Sequence, residues 1–252
     1  MKLFSGLFKE KLLSSGLLNE AVDIHCHVLP GVDDGVRALN SALEALEVYK
    51  KLGFSQLVCT PHIMSDYPLN EPNYLGVEFA QLEVSAKAIG IKLQLAAEYM
   101  LDSDFLNHLE AGPLLTYDGK HVLIENSYLS ASPEMANQIY RLKLAGYSPI
   151  LAHPERYTFI DEKGYEKLSN EGMLFQLNLL SLIGVYGSQA QKKAEYLLSK
   201  GYYNFVGTDT HRAKWLRRGV EMFEVKKVVL KQLAPLWDNN RRLVNGQFTS
   251  KI

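Results

Sequence analysis

The stretch Asp23-Ile24-His25-Cys26-His27 sets two imidazoles two residues apart. Side chains alternate faces along a β-strand, so His25 and His27 are expected on one side, with Ile24 and Cys26 on the other. Two imidazoles on one face can bind one metal ion; taken alone, the pair reads equally as a strand end with two solvent-facing histidines. The other chemistry-bearing residues bear on the choice, because they close apolar runs in the same way. Thr60-Pro61-His62, Ala97-Glu98-Tyr99, Ile124-Glu125-Asn126, Ala152-His153-Pro154 and Gly207-Thr208-Asp209-Thr210-His211 each end such a run, and Val32-Asp33-Asp34-Gly35 follows the first.

The elements that must position these residues are legible as a rhythm. Apolar runs rich in β-branched residues alternate with amphipathic helical patterns, the signature of a parallel sheet built from βα units. The runs end at His27, His62, Glu98, Glu125, His153, Asn178 and Asp209, spaced near the ~30 residues that a βαβ unit needs. Seven units predict an α/β fold closed or nearly closed as a barrel, in a single domain over residues 1–252. All strand C-termini of a parallel barrel open on one face, so these side chains would converge. Ser41 to Leu52 reads as the first helix, with Gly53 after its end; Pro133 suits the first turn of the fourth, which closes near Gly146. Within residues 1–20, Leu3, Phe4, Leu7, Phe8, Leu12 and Leu13 recur at helical spacing, an amphipathic segment expected to cover the barrel floor. Residues 63–73, rich in proline and asparagine, form the longest irregular stretch and a candidate lid.

Nine residues are candidate metal ligands: His25, His27, Asp34, His62, Glu98, Glu125, His153, Asp209 and His211. All offer nitrogen or oxygen and none sulfur, too many donors for one tetrahedral zinc and enough for two or three ions. Buried without compensation, such groups would cost several kcal/mol each. His108 and His121 read as surface residues. Cys26 and Cys59 sit in apolar runs, as free thiols of a reducing compartment would, and neither opens a Cys-x₅-Arg loop, which disfavours a thiolate nucleophile. The net charge of −1, with scattered Lys and Arg, excludes a nucleic-acid face. No apolar run approaches the ~20 residues of a membrane span, and charges interrupt the N-terminus too early for a secretory signal. A cytoplasmic location is expected.

In order and type, His25-x-His27, Asp34, His62, Glu98, Glu125, His153 and Asp209-x-His211 resemble the PHP superfamily along essentially the whole chain. Asp23-Ile24-His25-Cys26-His27, Val32-Asp33-Asp34-Gly35, Thr60-Pro61-His62, His153-Pro154-Glu155-Arg156-Tyr157 and Asp209-Thr210-His211 most resemble the metal-dependent protein tyrosine phosphatases of bacterial capsular and exopolysaccharide systems. Many PHP proteins carry histidine where this chain has Asp34 and Glu125.

That resemblance implies a distorted (β/α)7 barrel of the PHP type with three divalent metal ions, Mn²⁺ first, with Fe or Zn²⁺ as alternatives. It assigns His25, His27, Glu98 and Asp209 to one ion, Glu98 with Glu125 and His153 to a second, and Asp34, His62 and His211 to a third. Asp34 is counted with the catalytic set as well. Arg156 matches the arginine placed on the phosphate; Arg212 is the second candidate, with Arg217 its rival. The implied reaction is hydrolysis of phosphotyrosine in a protein, a bacterial tyrosine kinase of capsule or exopolysaccharide synthesis, by a hydroxide bridging the ions. A phenolate leaves readily, so no strong general acid is required. Two alternatives stay open: a small-molecule phosphatase such as a histidinol-phosphate phosphatase, and a non-catalytic metal-binding scaffold.

Overall fold

A proline decides how the sheet is divided. The computed structural model describes residues 9–249. Its strands are β1 (Lys9–Lys11), β2 (Ala21–Cys26), β3 (Phe54–Cys59), β4 (His62–Ile63), β5 (Lys92–Leu95), β6 (Glu98–Met100), β7 (His121–Glu125), β8 (Ser148–Ala152), β9 (Leu174–Asn178), β10 (Phe205–Gly207) and β11 (Glu224–Lys226). The helices are α1 (Leu39–Leu52), α2 (Pro72–Ile89), α3 (Phe105–Ala111), α4 (Met135–Leu144), α5 (Glu162–Asn170), α6 (Ser188–Lys200), α7 (Ala213–Met222) and α8 (Lys227–Val244). The second expected strand is two strands, β3 and β4, separated by Thr60-Pro61, and the third breaks between β5 and β6 at Ala96-Ala97. Pro61 has no N–H to give to a ladder.

The fold is therefore mixed α/β with two parallel sheets, ordered β2-β3-β5 and β10-β9-β8-β7-β6-β4. The breaks remain tied by backbone bonds: Thr60 N–H donates to Cys26 O at 2.9 Å, Ala96 N–H to Cys59 O at 2.9 Å and Glu98 N–H to Pro61 O at 3.1 Å. At the far edge, Asp209 N–H reaches His25 O at 2.8 Å and His27 N–H reaches Thr210 O at 3.0 Å.

Two apolar clusters fill the fold. The smaller takes Val22 and Ile24 from β2, Val58 from β3, Leu123 from β7, Ile150 from β8, Leu174 from β9 and Phe205 from β10, together with Phe248 near the C-terminus. The larger packs helices on the strands, and α1 contributes Ala42, Ala45, Leu46, Tyr49 and Leu52 to it. Each such large apolar side chain withdrawn from water is worth roughly 1.5–3 kcal/mol. Gly53 ends α1 at φ 101°, a left-handed conformation that only glycine adopts at little cost.

Some expectations shift. Ile24 and Cys26 lie in different clusters, because the pairing of β2 with β3 is irregular between Asp23 and Cys26 and breaks strict alternation. The first helix starts at Leu39, and Pro133 precedes the fourth by two residues. Leu3, Phe4, Leu7 and Phe8 lie outside the described residues. Lys9–Lys11, in the segment read as helical, is instead a strand, antiparallel to β11, and Leu12–Ser15 forms a 3-10 helix with Leu12 buried. Among the described residues no helix is long and apolar enough to cross a membrane.

Candidate metal centre

The nine candidate ligands come together at the C-terminal ends of the strands, and local backbone geometry explains several placements. His25 and His27 bring their Nε2 atoms to 3.2 Å of each other. His25 Nδ1–H donates to Gln176 Oε1 at 2.9 Å, and His27 Nδ1–H donates to Asp33 Oδ2 at 2.8 Å. With Nδ1 of each ring so engaged, both Nε2 atoms face one point. Glu98 Oε2 lies 3.1 and 3.3 Å from them, and Asp209 Oδ1 3.5 and 3.4 Å. His153 and Asp209 hold φ of 33° and 51°, uncommon for residues other than glycine; His153 stands directly after β8 and Asp209 two residues after β10.

Gly35 permits the loop that carries Asp33 and Asp34. A Cβ there would collide with the carbonyl and side chain of His27 and with Asp33. Gly207 does the same on β10, where a Cβ would strike His25 and Gln176. Both glycines are needed for close approach, since neither has a positive φ.

Eight of the nine fall into three overlapping groups, His25, His27, Glu98 and Asp209; His62, Glu98 and Glu125; and His27, Asp34, His62 and His211, with His153 outside all three. His62 presents Nδ1 to Glu125 Oε1 at 3.0 Å and to Glu98 Oε2 at 3.3 Å, while its Nε2 lies 3.4 Å from Asp34 Oδ1. His153 Nε2 approaches Glu98 Oε1 at 3.1 Å and Glu125 Oε2 at 3.8 Å. His211 Nε2 is 3.2 Å from Asp34 Oδ1, whose side chain is 59% exposed, in contrast to the buried Glu98.

The residues fit divalent ions on an observation internal to the fold. His62 Nδ1, Glu98 Oε2 and Glu125 Oε1 are buried and lack a hydrogen bond, yet they converge within 3.0 to 3.3 Å around His62. Buried unsatisfied polar atoms are costly, and a shared cation satisfies all three. An all-nitrogen and oxygen donor set suits Mn²⁺, Fe or Zn²⁺.

Charges in the cluster lean on one another. Burial and the neighbouring His27 lower the pKa of His62, but the close carboxylates of Asp34, Glu125 and Glu98 outweigh them, leaving it raised to about 10. Burial pushes Glu98 up, while the charge of His25 and hydrogen bonds from His153, His25 and His27 hold it well below its usual range. In the metal-free protein His62 is therefore protonated at pH 7, and ligation must displace that proton. Its contribution to metal-free stability is full below about 6.5, the unfolded value, and is lost as pH rises toward about 10. Metal affinity moves the opposite way. The gap in melting temperature between loaded and chelator-treated protein is expected to widen from pH 6 to 9; a gap constant across that range contradicts the assignment of His62.

Gln176 and Asp33 were not singled out from the sequence. The signal for Gln176 was an amide within the apolar run Leu174-Phe175-Gln176-Leu177, and for Asp33 the repeated aspartate beside Asp34. Asp33 also accepts Gly35 N–H at 2.9 Å and His62 N–H at 3.2 Å. Asp33→Asn keeps the shape but weakens the acceptor on His27, and metal affinity in a competitive chelator titration is expected to fall about 10–100-fold. Unchanged affinity would remove Asp33 from this role.

A cavity of about 510 Å³ opens over the cluster and reaches Arg156 and Arg212, though not Arg217. Arg156 lies between two tyrosines, its Cζ 4.1 Å from the ring centre of Tyr128 and 4.2 Å from that of Tyr186. Its Nη1–H donates to Asp209 Oδ2 at 2.9 Å, and Asn178 Nδ2–H donates to the same oxygen at 3.0 Å. The 3-10 turn carrying it, Pro154–Arg156, is anchored by buried Glu155, which accepts Asn178 N–H at 3.0 Å and Tyr203 O–H at 2.8 Å.

Residues 63–73 contribute nothing to the cavity lining. Asn70 ties that loop down, donating to Val32 O at 3.0 Å and His62 O at 2.7 Å, and Tyr67 from the same loop stacks on His62 with ring centres 6.1 Å apart. His121 begins β7 away from the cluster, but it is buried and bonded to Asp118 at 2.8 Å rather than on the surface; His108 is half-buried. Cys26 and Cys59 are buried free thiols outside all three donor groups.

Comparison with known proteins follows the geometry. The family described as capsular polysaccharide synthesis, CpsB/CapC, matches residues 21–241. The tyrosine-protein phosphatase YwqE of Bacillus subtilis (strain 168) is 31% identical over 199 residues, 77% of this chain and 78% of that protein. The tyrosine-protein phosphatase CpsB of Streptococcus pneumoniae is 25% identical over 240 residues, 90% of this chain and 99% of that protein. A crystal structure described with YwqE of B. subtilis and CpsB of S. pneumoniae as metal-dependent tyrosine phosphatases superposes with a TM-score of 0.78 at 25% identity, covering 90% of this chain and 95% of the other.

Proposed function

The chain belongs to the capsular polysaccharide synthesis CpsB/CapC family, and on that premise we propose that it is a metal-dependent phosphomonoesterase acting on phosphotyrosine in proteins. The observation that carries this reading is the convergence of the orphaned atoms of His62, Glu98 and Glu125 in a cavity that also presents the clamped guanidinium of Arg156. Donors that require cations beside a fixed anion-binding fork suit a phosphate ester. The relatives' names do not favour the histidinol-phosphate and scaffold readings.

Three ions are proposed, Mn²⁺ first. His25, His27, Glu98 and Asp209 would hold one, Glu98, Glu125, His62 and His153 would surround another, and Asp34, His62 and His211 would hold the third. When bound, divalent ions activate water at neutral pH and neutralise phosphoryl charge. The chain's own residues supply orientation. Gln176 and Asp33 fix the tautomers of His25 and His27, so that their Nε2 atoms face the reaction side. Arg156 offers N–H groups to phosphoryl oxygens from a position that Tyr128, Tyr186 and Asp209 hold in place before substrate arrives. Arg212 stands at the rim as the second basic contact, and Asp34 is the most exposed carboxylate of the set.

The finer architecture we take to be a distorted (β/α)7 barrel in one domain. Its support is the pair of bonds joining His25 and His27 to Asp209 and Thr210, together with an apolar cluster fed by six of the strands. The expected substrate is a tyrosine kinase of capsule or exopolysaccharide synthesis, encountered in the cytoplasm. The test compares metal-loaded and chelator-treated protein on a phosphotyrosine peptide and on histidinol phosphate. Chelator-sensitive preference for the peptide is expected; a large preference for histidinol phosphate, or no turnover of either, overturns the reading.

A further inference from the structure

The cavity over the ligand cluster has two unlike sides. Carboxylates and imidazoles form one, while Leu180, Val185, Tyr186, Trp215 and Leu216 form an apolar wall. Leu180 comes from the 3-10 helix Leu179–Ile183, and Trp215 and Leu216 come from the first turn of α7. Packing of α7 uses Ala213, Leu216, Gly219 and Val220. Trp215 is not among them: the residue remains 54% exposed, and Val185 is 44% exposed. The fold gives no reason for so large an apolar surface at the rim of a polar site, and such surface commonly marks binding.

Its placement is not loose. The backbone N–H of Trp215 donates to Arg212 O at 3.0 Å, and the turn that follows His211 carries both Arg212 and Trp215 to the cavity lining. A phosphate held by the polar side must direct its ester substituent toward the rest of the cavity. At about 510 Å³ the space is within the range of small-ligand clefts, and a flat ring stacks on indole better than an alkyl chain does.

We infer that Trp215, with Val185 beside the same cavity, forms an aryl-binding wall that selects aromatic over alkyl phosphate monoesters. This specificity-determining role rests on the phosphatase reading above. It concerns residues away from the ligand set.

The experiment uses the metal-loaded full chain as wild type, Trp215→Ala and Trp215→Phe, with phosphotyrosine and phosphoserine as substrates that differ in the aryl group. Trp215→Ala is expected to lower the ratio of kcat/KM for phosphotyrosine over phosphoserine about tenfold, mostly through KM, and Trp215→Phe to restore most of it. A second measurement needs no turnover. Trp237 is buried at 1% exposure, so a change in tryptophan emission on adding phenylphosphonate, absent with methylphosphonate, reports Trp215. A ratio altered less than about twofold, or equal emission responses to the two phosphonates, overturns the aryl wall. If the wild type hydrolyses neither substrate, the phosphatase reading falls and the phosphonate measurement alone decides: a response confined to phenylphosphonate upholds the wall, and any other response removes it.

Discussion

Glu98→Ala is expected to lose bound metal and turnover together, with kcat/KM on a phosphotyrosine peptide falling at least ~10³-fold, the loss of about 4 kcal/mol of transition-state stabilisation. Glu98 is fully buried, and its oxygens lie 3.1 Å from His25, 3.3 Å from His27 and His62 and 3.1 Å from His153. Among the described residues no other carboxylate approaches all four histidines, so its removal disrupts two of the three donor groups at once. Cys26→Ser is the control. Cys26 lies between His25 and His27, but its thiol points to Val58 O at 3.3 Å, an acceptor that a hydroxyl can also use. Elemental analysis and turnover should both stay near wild type. Lost turnover with metal retained in Cys26→Ser would sink the water-based mechanism.

The second large effect is at Arg156. Arg156→Lys keeps the charge, yet turnover is expected to fall about 10²-fold, and Arg156→Ala about 10³-fold, with metal content preserved in both. An ammonium cannot lie flat between Tyr128 and Tyr186 while it donates to Asp209 and a phosphoryl oxygen; a planar guanidinium can. The two rings, 4.1 and 4.2 Å from Cζ, restrict the side chain before substrate binds, so the lysine variant should lose kcat as well as affinity. Arg156→Lys at full activity would reduce Arg156 to a structural partner of Asp209.

Metal loading offers a check on both. His62 protonated in the metal-free state links ion binding to proton release, so calorimetry in buffers of different ionisation enthalpy should agree with the melting-temperature trend described above.

The candidate site was legible because it is written as residue type at the ends of apolar runs. Glu125 closes β7, His153 lies one residue beyond β8 and Asp209 two beyond β10, and His25 is the penultimate residue of β2. His62 and Glu98 open the short strands β4 and β6 that continue β3 and β5; a parallel sheet brings such positions together whatever loops intervene. Gln176, Asp33, Tyr128 and Tyr186 were not legible. Each acts on a partner distant in sequence or through a loop geometry, and an amide in a strand or a tyrosine in a loop has no spacing that announces its partner. His121 was misplaced for the same reason: its burial comes from Asp118 and Phe248, contacts that no periodicity encodes.

The sequence by itself determined the alternation of strands and helices and the choice of the nine candidate donors, because side-chain chemistry and apolar periodicity are local properties of the chain. Tertiary structure alone decided the rest. It split the second and third strands at Thr60-Pro61 and Ala96-Ala97, where ladder bonding yields to a change of partner. It gave His62 a separate donor group on each ring nitrogen, and it set Arg156 flat between two tyrosines. Distances of three or four ångströms between residues far apart in the chain are consequences of packing, and it is those distances that gather scattered polar residues into groups that could hold a metal ion.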